Sequence, residues 1–202
     1  MQTPQDRRKA RQRLLLDAAI KLFARGGYHA TSVPAIVREA HSSIGSFYAH
    51  FRNKEGILVA ILEELDKGLT ERVEAAAGPE KPPLVQAARS IAACLQFLLA
   101  EPDYARILLV EAVGLNQAIE TRCREIIERR AQVLGQALEA AVRQGAIPGI
   151  HTGVAASACV GSVLEVVAHW LATGEPVDTV AIADTLIEFN LRGLSRPPTG
   201  RR

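Results

Sequence analysis

TSVPAIVREAHSSIGSFYAHFRNK, residues 31–54, reads as two short helices joined by a tight turn. Thr31 or Ser32 is suited to open the first of them, and Pro34 is tolerated in a first turn, where no N–H needs an intrahelical partner. That helix runs to about Ala40. His41, Ser42 and Ser43 form the turn, and Ser43 caps a second helix that ends near Phe51. Asn53 then caps a longer helix carrying Ile57, Leu58, Ile61, Leu62 and Leu65 at helical spacing. Two helices around a three-residue turn make a helix-turn-helix, whose second helix enters the major groove of DNA.

Upstream, one more helix completes a three-helix head. Thr3 and Asp6 form a capping box around Pro4, and Leu14, Leu15, Ala18, Ala19, Leu22 and Phe23 recur on one face before Gly26 and Gly27 end the helix. Downstream, Pro/Gly breaks at 78–83, 101–102, 114–115, 145–149 and 174–176 delimit five helices at about 83–100, 103–114, 116–144, 152–173 and 178–194. The expected fold is all-α with about nine helices. Residues 1–55 form the helix-turn-helix domain (motif at about 33–52), 56–195 a larger body for ligand binding and dimerisation, and 196–202 a disordered tail.

Composition agrees. Of 202 residues 48% are apolar, enough for a substantial core, while aromatics are only 4% and favour helix over sheet. The net charge of +2 conceals a division. Residues 1–55 carry ten Lys/Arg against four Asp/Glu, and the remainder fourteen against eighteen. A basic head on an acidic body is the footprint of a polyanion binder, although a solvated basic face has the same composition.

Several classes are disfavoured. Cys94, Cys123 and Cys159 are scattered and odd in number, which argues against a disulfide framework or zinc site and for small buried side chains rather than a redox or metal sensor. No phosphate loop, nucleophile elbow or metal-spaced ligand set is found, so neither an enzyme nor a cofactor is expected. The basic start lacks the apolar run of a secretory signal. The longest nearly apolar stretch, 153–164, is too short to span a bilayer. A cytoplasmic protein with no membrane partner is the expectation.

Within the motif the second helix would be Ile44-Gly45-Ser46-Phe47-Tyr48-Ala49-His50. Ser43 and Ser46 can donate to phosphate or a base edge, and Tyr48 to a phosphate, while Phe47 and Phe51 face the core with Ile36 and Phe23. Lys54 opens the next helix, either as a phosphate ligand or as a plain surface charge.

The run Leu15, Ala18-Ala19, Leu22-Phe23, Gly26-Gly27-Tyr28, Thr31-Ser32-Val33, Ile36, Ala40, Ser43, Gly45-Ser46-Phe47-Tyr48, His50-Phe51, Lys54-Glu55 and Leu58 resembles the DNA-binding head of the TetR family. The resemblance covers about the first 60 residues. It implies a nine-helix homodimer that binds an inverted-repeat operator on double-stranded DNA, usually to repress. A small-molecule effector held in the body would release the DNA. Carried over by position, Ser32, Ser43, Gly45, Ser46, Tyr48, His50 and Lys54 match DNA-contacting places, and Arg11 a basic helix start that touches phosphate. Ile44, Gly45 and Ser46 would read bases. The family usually has Gly and then an apolar residue where His41-Ser42 stand. If φ is positive at His41, glycine there would stabilise the fold.

In the body, Gly153, Ala155, Ala156, Ser157, Ala158, Gly161 and Ser162 let helices approach closely, and the resemblance implies that the last two helices form the dimer bundle. Packing of both within one chain is the alternative. Glu111 on an apolar face either lines an effector pocket or pairs with Arg89 or Arg122. Glu165, His169 and Trp170 could read a ligand's polar group while Leu95, Leu98, Leu108 and Trp170 enclose its apolar part. Two other readings stay open: a DNA-binding module without an effector, and an all-helical enzyme.

Overall fold

The computed structural model describes residues 3–174 and 178–195. The expected tail at 196–202, and Glu175 and Pro176 of the last break, lie outside the described residues. Among those described there are nine α-helices, one π-helical turn and no strand. They are α1 Pro4–Gly26, α2 Val33–Glu39, α3 Ile44–Tyr48, α4 Lys54–Ala77, α5 Pro83–Ala100, α6 Pro102–Arg106, the π turn Ile107–Glu111, α7 Gln117–Arg143, α8 Thr152–Thr173 and α9 Thr179–Ser195.

Local chemistry sets most boundaries. At α1, Thr3 Oγ1 accepts from Asp6 N–H at 3.1 Å while Asp6 accepts from Thr3 N–H at 3.0 Å, so two orphan donors are satisfied reciprocally. Asn53 Oδ1 accepts from Gly56 N–H at 2.8 Å and opens α4. Asp178 Oδ1 accepts from both Val180 and Ala181 N–H and opens α9. The helix expected at 103–114 starts one residue earlier, with Pro102 in its first turn. It passes into a π turn closed by Ala112 N–H donating to Ile107 O at 2.9 Å, a bond that spans five residues.

The chain forms two compact units, Met1–Asp66 with Asp103–Cys123, and Lys67–Pro102 with Arg124–Arg202. The first therefore reaches past the head expected at 1–55 and takes in α6, the π turn and the start of α7. Its core holds Leu15, Ala19, Phe23, Ile36, Phe47, Phe51, Ile57, Leu58, Ile61, Leu62, Ala105 and Ile107. There α1 packs against α2, α3 and the π turn.

In the second unit α5 packs against α8 and α9. Buried Asn190 of α9 donates from Nδ2 to Leu186 O at 2.8 Å and to Ser162 Oγ of α8 at 3.0 Å, a polar pin between these two helices. Contrary to the reading that no segment suffices, α5 and α8 are long and apolar enough by composition to cross a membrane. For α5 over half of that window is buried, as in a core helix, whereas for α8 only 28% is. Val154 on α8 and Val180 and Phe189 on α9 stay open in the single chain.

His41 is the one non-glycine with positive φ among the described residues, at 46°. It ends α2 in a Schellman-type turn: His41 N–H donates to Arg38 O at 3.2 Å and Ser42 N–H to Val37 O at 2.9 Å. The left-handed region crowds any side chain with a Cβ. His41→Gly is therefore expected to stabilise the protein by about 0.5–1 kcal/mol. Calorimetry would register this as a melting temperature roughly 1–4 °C higher. A lower melting temperature would refute it.

Candidate nucleic-acid interface and effector cavity

The turn delivers α3 with a sorted set of side chains. Phe47 is fully buried and packs against Phe51 in a tilted pair with ring centroids 5.6 Å apart. On the opposite face Ile44, Gly45, Tyr48 and Ala49 are exposed. Ser43 Oγ accepts from Ser46 N–H at 3.2 Å, and Ser32 Oγ from Ala35 N–H at 3.3 Å. Both serines are exposed caps of short helices, with hydroxyl hydrogens left to donate outward. Ser46 departs from expectation: its hydroxyl is buried without a hydrogen-bond partner among the described residues, so it is not offered to a base edge.

Arg7, Arg8 and Arg11 of α1 face Ser46, Ala49 and His50 across an open cleft. A second open cleft joins Arg11 and Leu14 to His41, Ser42 and Ser43. Partial burial, and then the charges of Arg8 and Arg11, hold His50 below the usual histidine range. The cationic side chains thus flank α3, while its own exposed face is uncharged. The recognition that Arg11 has basic neighbours was legible in the sequence; that Arg7 and Arg8 share a cleft with His50 was not.

Lys54 does something other than wait for phosphate. Its Nζ donates to Tyr28 O at 2.7 Å and Thr31 O at 2.9 Å and sits 4.2 Å from the centre of the Tyr28 ring. It is a clamp on the loop between α1 and α2, a role that the readings of Lys54 as a phosphate ligand or a surface charge did not include. Desolvation holds its pKa below the usual lysine value. Buried Thr31 closes the same loop from within, donating to Gly27 O at 2.8 Å.

Glu111 holds the loop's other side. Its carboxylate accepts from Tyr28 N–H at 3.0 Å, and Arg106 Nε lies 3.9 Å away. The partners considered from the sequence, Arg89 and Arg122, are replaced by a backbone amide and a nearer arginine; Arg122 instead bonds Glu63 at 3.3 Å. Along α6 from Glu111, Tyr104 donates to Glu64 at 2.7 Å, and Glu64 also pairs with Arg13 of α1. So α6 and its π turn hold α1 near its middle and at its end.

The residues expected to line an effector pocket are divided between the two units. Leu108 and Glu111 belong to the unit of the head, Leu95 and Leu98 to the core of the other unit, and Glu165 and His169 are exposed beside half-buried Trp170. The cavity present in the second unit is small, about 20 Å³. Its lining is Val73, Ser90, Ile91, Cys94, Arg130, Leu134, Cys159, Val160 and Val163. Arg130 is almost fully buried and donates to Thr70 Oγ1 at 2.8 Å. Its signal lay in the sequence: on α7 it interrupts the buried series Ile126, Leu134, Leu138, Ala141. Burial pushes the Cys94 thiol up to about 12 and the Cys159 thiol to about 11, so both are poor nucleophiles near neutrality.

The family described as bacterial regulatory proteins, tetR family, matches residues 15–61. The fatty acid metabolism regulator protein of Bacillus subtilis is 25% identical over 181 residues, 89% of this chain and 93% of that one. The solved structure of the transcriptional regulator FadR from Bacillus subtilis, in complex with stearoyl-CoA, superposes with a TM-score of 0.80 at 25% identity, covering 89% of this chain and 97% of that one. A regulatory protein of the tetR family from Rhodococcus RHA1 superposes at 0.81 with 24% identity, covering 93% and 98%.

Proposed function

Since this chain belongs to the TetR family of DNA-binding transcriptional regulators, we propose that it is a cytoplasmic repressor released from an inverted-repeat operator by a ligand with a long acyl chain. The observation that carries the DNA half is the cleft in which Arg7, Arg8 and Arg11 flank α3. Phosphates beside a major groove meet cations there, while the helix itself meets the base edges. Ser32, Ser43 and Tyr48 supply neutral donors around it.

The apolar faces left open on α8 and α9, around Val154, Val180 and Phe189, are the surface through which two copies pair in this reading. A two-fold dimer presents two equal heads, hence an inverted repeat.

The cavity supports the effector half. Its lining is aliphatic apart from Ser90, Arg130 and two thiols, which suits an apolar chain ending near a polar group. The Bacillus subtilis FadR structure contains stearoyl-CoA. The space in this chain is narrower than a long acyl chain needs, so a ligand has to part the side chains of α5, α7 and α8. A ligand that requires such a change favours one conformation over another, which is the condition for releasing DNA.

Selection of bound duplexes from a random pool, followed by titration of the selected duplex with stearoyl-CoA, stearate and free coenzyme A, tests both halves. An enriched inverted repeat whose affinity falls at least tenfold with an acyl compound, and not with coenzyme A alone, is the expected result. Enrichment of asymmetric single sites would remove the dimeric reading. Indifference to every acyl compound would remove the effector reading and leave the regulator standing.

A further inference from the structure

The exposed face of α3 lacks the side chains that usually read bases. None of its five residues is Arg, Lys, Asn, Gln, Asp or Glu, the types that pair with base edges through directed hydrogen bonds. Ser46 turns its hydroxyl inward and Phe47 is buried, so Ile44, Gly45 and Tyr48 remain. Of these, Ile44 stands at the amino end of α3, where a recognition helix comes nearest the base edges, and 45% of its surface is open. A Cβ on Gly45 would have nothing within 4 Å, so the surface next to Ile44 along the helix is open as well. The arginines lie on α1 across the cleft, where they suit phosphates.

In the major groove the apolar feature that distinguishes one base pair from another is the C5-methyl group of thymine. We propose that Ile44 is a specificity-determining residue that recognises a thymine methyl in each half of the operator. This rests on the DNA-binding reading above. Sequence preference at that position then comes from removing two apolar surfaces from water rather than from a hydrogen-bond pattern, and Tyr48, one turn along the same face, fixes the register through its hydroxyl.

The test uses the full-length protein and the duplex it selects from a random pool. Each thymine is replaced in turn by deoxyuridine, which deletes the methyl and leaves every hydrogen-bonding group in place. At one thymine per half-site the substitution is expected to weaken binding roughly three- to tenfold. Ile44→Ala should bind the thymine duplex more weakly and be indifferent to that methyl, while Ile44→Val keeps the discrimination in reduced form. Arg8→Ala serves as the contrast, with weaker binding to both duplexes and an unchanged ratio between them. Uniform tolerance of uracil by the unsubstituted protein, or a uracil effect that persists in Ile44→Ala, would overturn the proposal and leave the regulator reading intact. A pool from which nothing is enriched would overturn both. Because Ile44 is exposed, an Ile44→Ala protein with unchanged melting temperature certifies that the ratio reports contact and not unfolding.

Discussion

Lys54→Met is expected to destabilise the protein by about 2–3 kcal/mol, since hydrogen bonds from a charged donor are worth more than neutral ones and two carbonyls lose theirs together. The methionine keeps the length of the stem but removes the ammonium that donates to Tyr28 O and Thr31 O and rests over the Tyr28 ring. The melting temperature should fall by roughly 5–10 °C. DNA affinity should fall with it, because the loop that Lys54 holds leads directly into α2. The phosphate-ligand reading of the same residue makes a different forecast. Loss of one phosphate contact lowers the salt dependence of binding by about one unit of slope while leaving stability nearly untouched. Melting and salt-titrated binding of the one variant therefore decide the matter: a stable protein with a shallower salt slope would restore Lys54 to the DNA interface. Arginine is a poor substitute for the clamp, since its planar fork does not reproduce a compact ammonium between two carbonyls and a ring.

The case of Lys54 shows which parts of the molecule are legible in its sequence. Caps and periodicities are local, and they place helices well: Thr3 with Asp6, Ser43 and Asn53 each open a helix where their side-chain chemistry requires it. The turn itself is legible for the same reason, whereas the positive φ at His41 was suggested only by the glycine that the resembled family has at that place. What Lys54 and Glu111 do is not local. Glu111 bonds a backbone amide 83 residues away, and no pattern within α6 or the π turn announces that partner. The same limit moved the domain boundary, because α6 belongs with the head only through contacts such as Tyr104 with Glu64. In the body, the small residues of α8 drew attention to one stripe and Glu165 with His169 to another, but the cavity lies on the buried side, with Cys159, Val160 and Val163. A buried arginine in an apolar series was the better clue, because a charge is rarely kept there without partners.

Gly27→Ala is expected to have the larger effect on the head, about 3–4 kcal/mol, through two separable causes. Gly27 leaves α1 at φ 86° and ψ 153°, a region that is essentially closed to residues with a Cβ and costs on the order of 1–3 kcal/mol to occupy. The added Cβ would also stand 3.2 Å from Glu111 Oε2. That carboxylate has to give way, and in doing so it releases Tyr28 N–H, to which it is bonded at 3.0 Å. Glu111→Ala alone breaks the same bond without straining the backbone, and a double-mutant cycle separates the two causes. If the carboxylate couples the π turn to the loop, the double variant will be less destabilised than the sum of the single ones by about 1 kcal/mol, because the shared bond can be lost only once. Chemical denaturation of the four proteins measures this. Additivity to within about 0.5 kcal/mol would mean that backbone strain at Gly27 accounts for the whole effect of that substitution and leaves the Glu111 bond intact. With coupling present, binding to the selected duplex should weaken in Glu111→Ala as well, although Glu111 is not among the groups facing the cleft between α1 and α3: its carboxylate would act on DNA binding only through the loop that orients α2 and, through α2 and the turn at His41, α3.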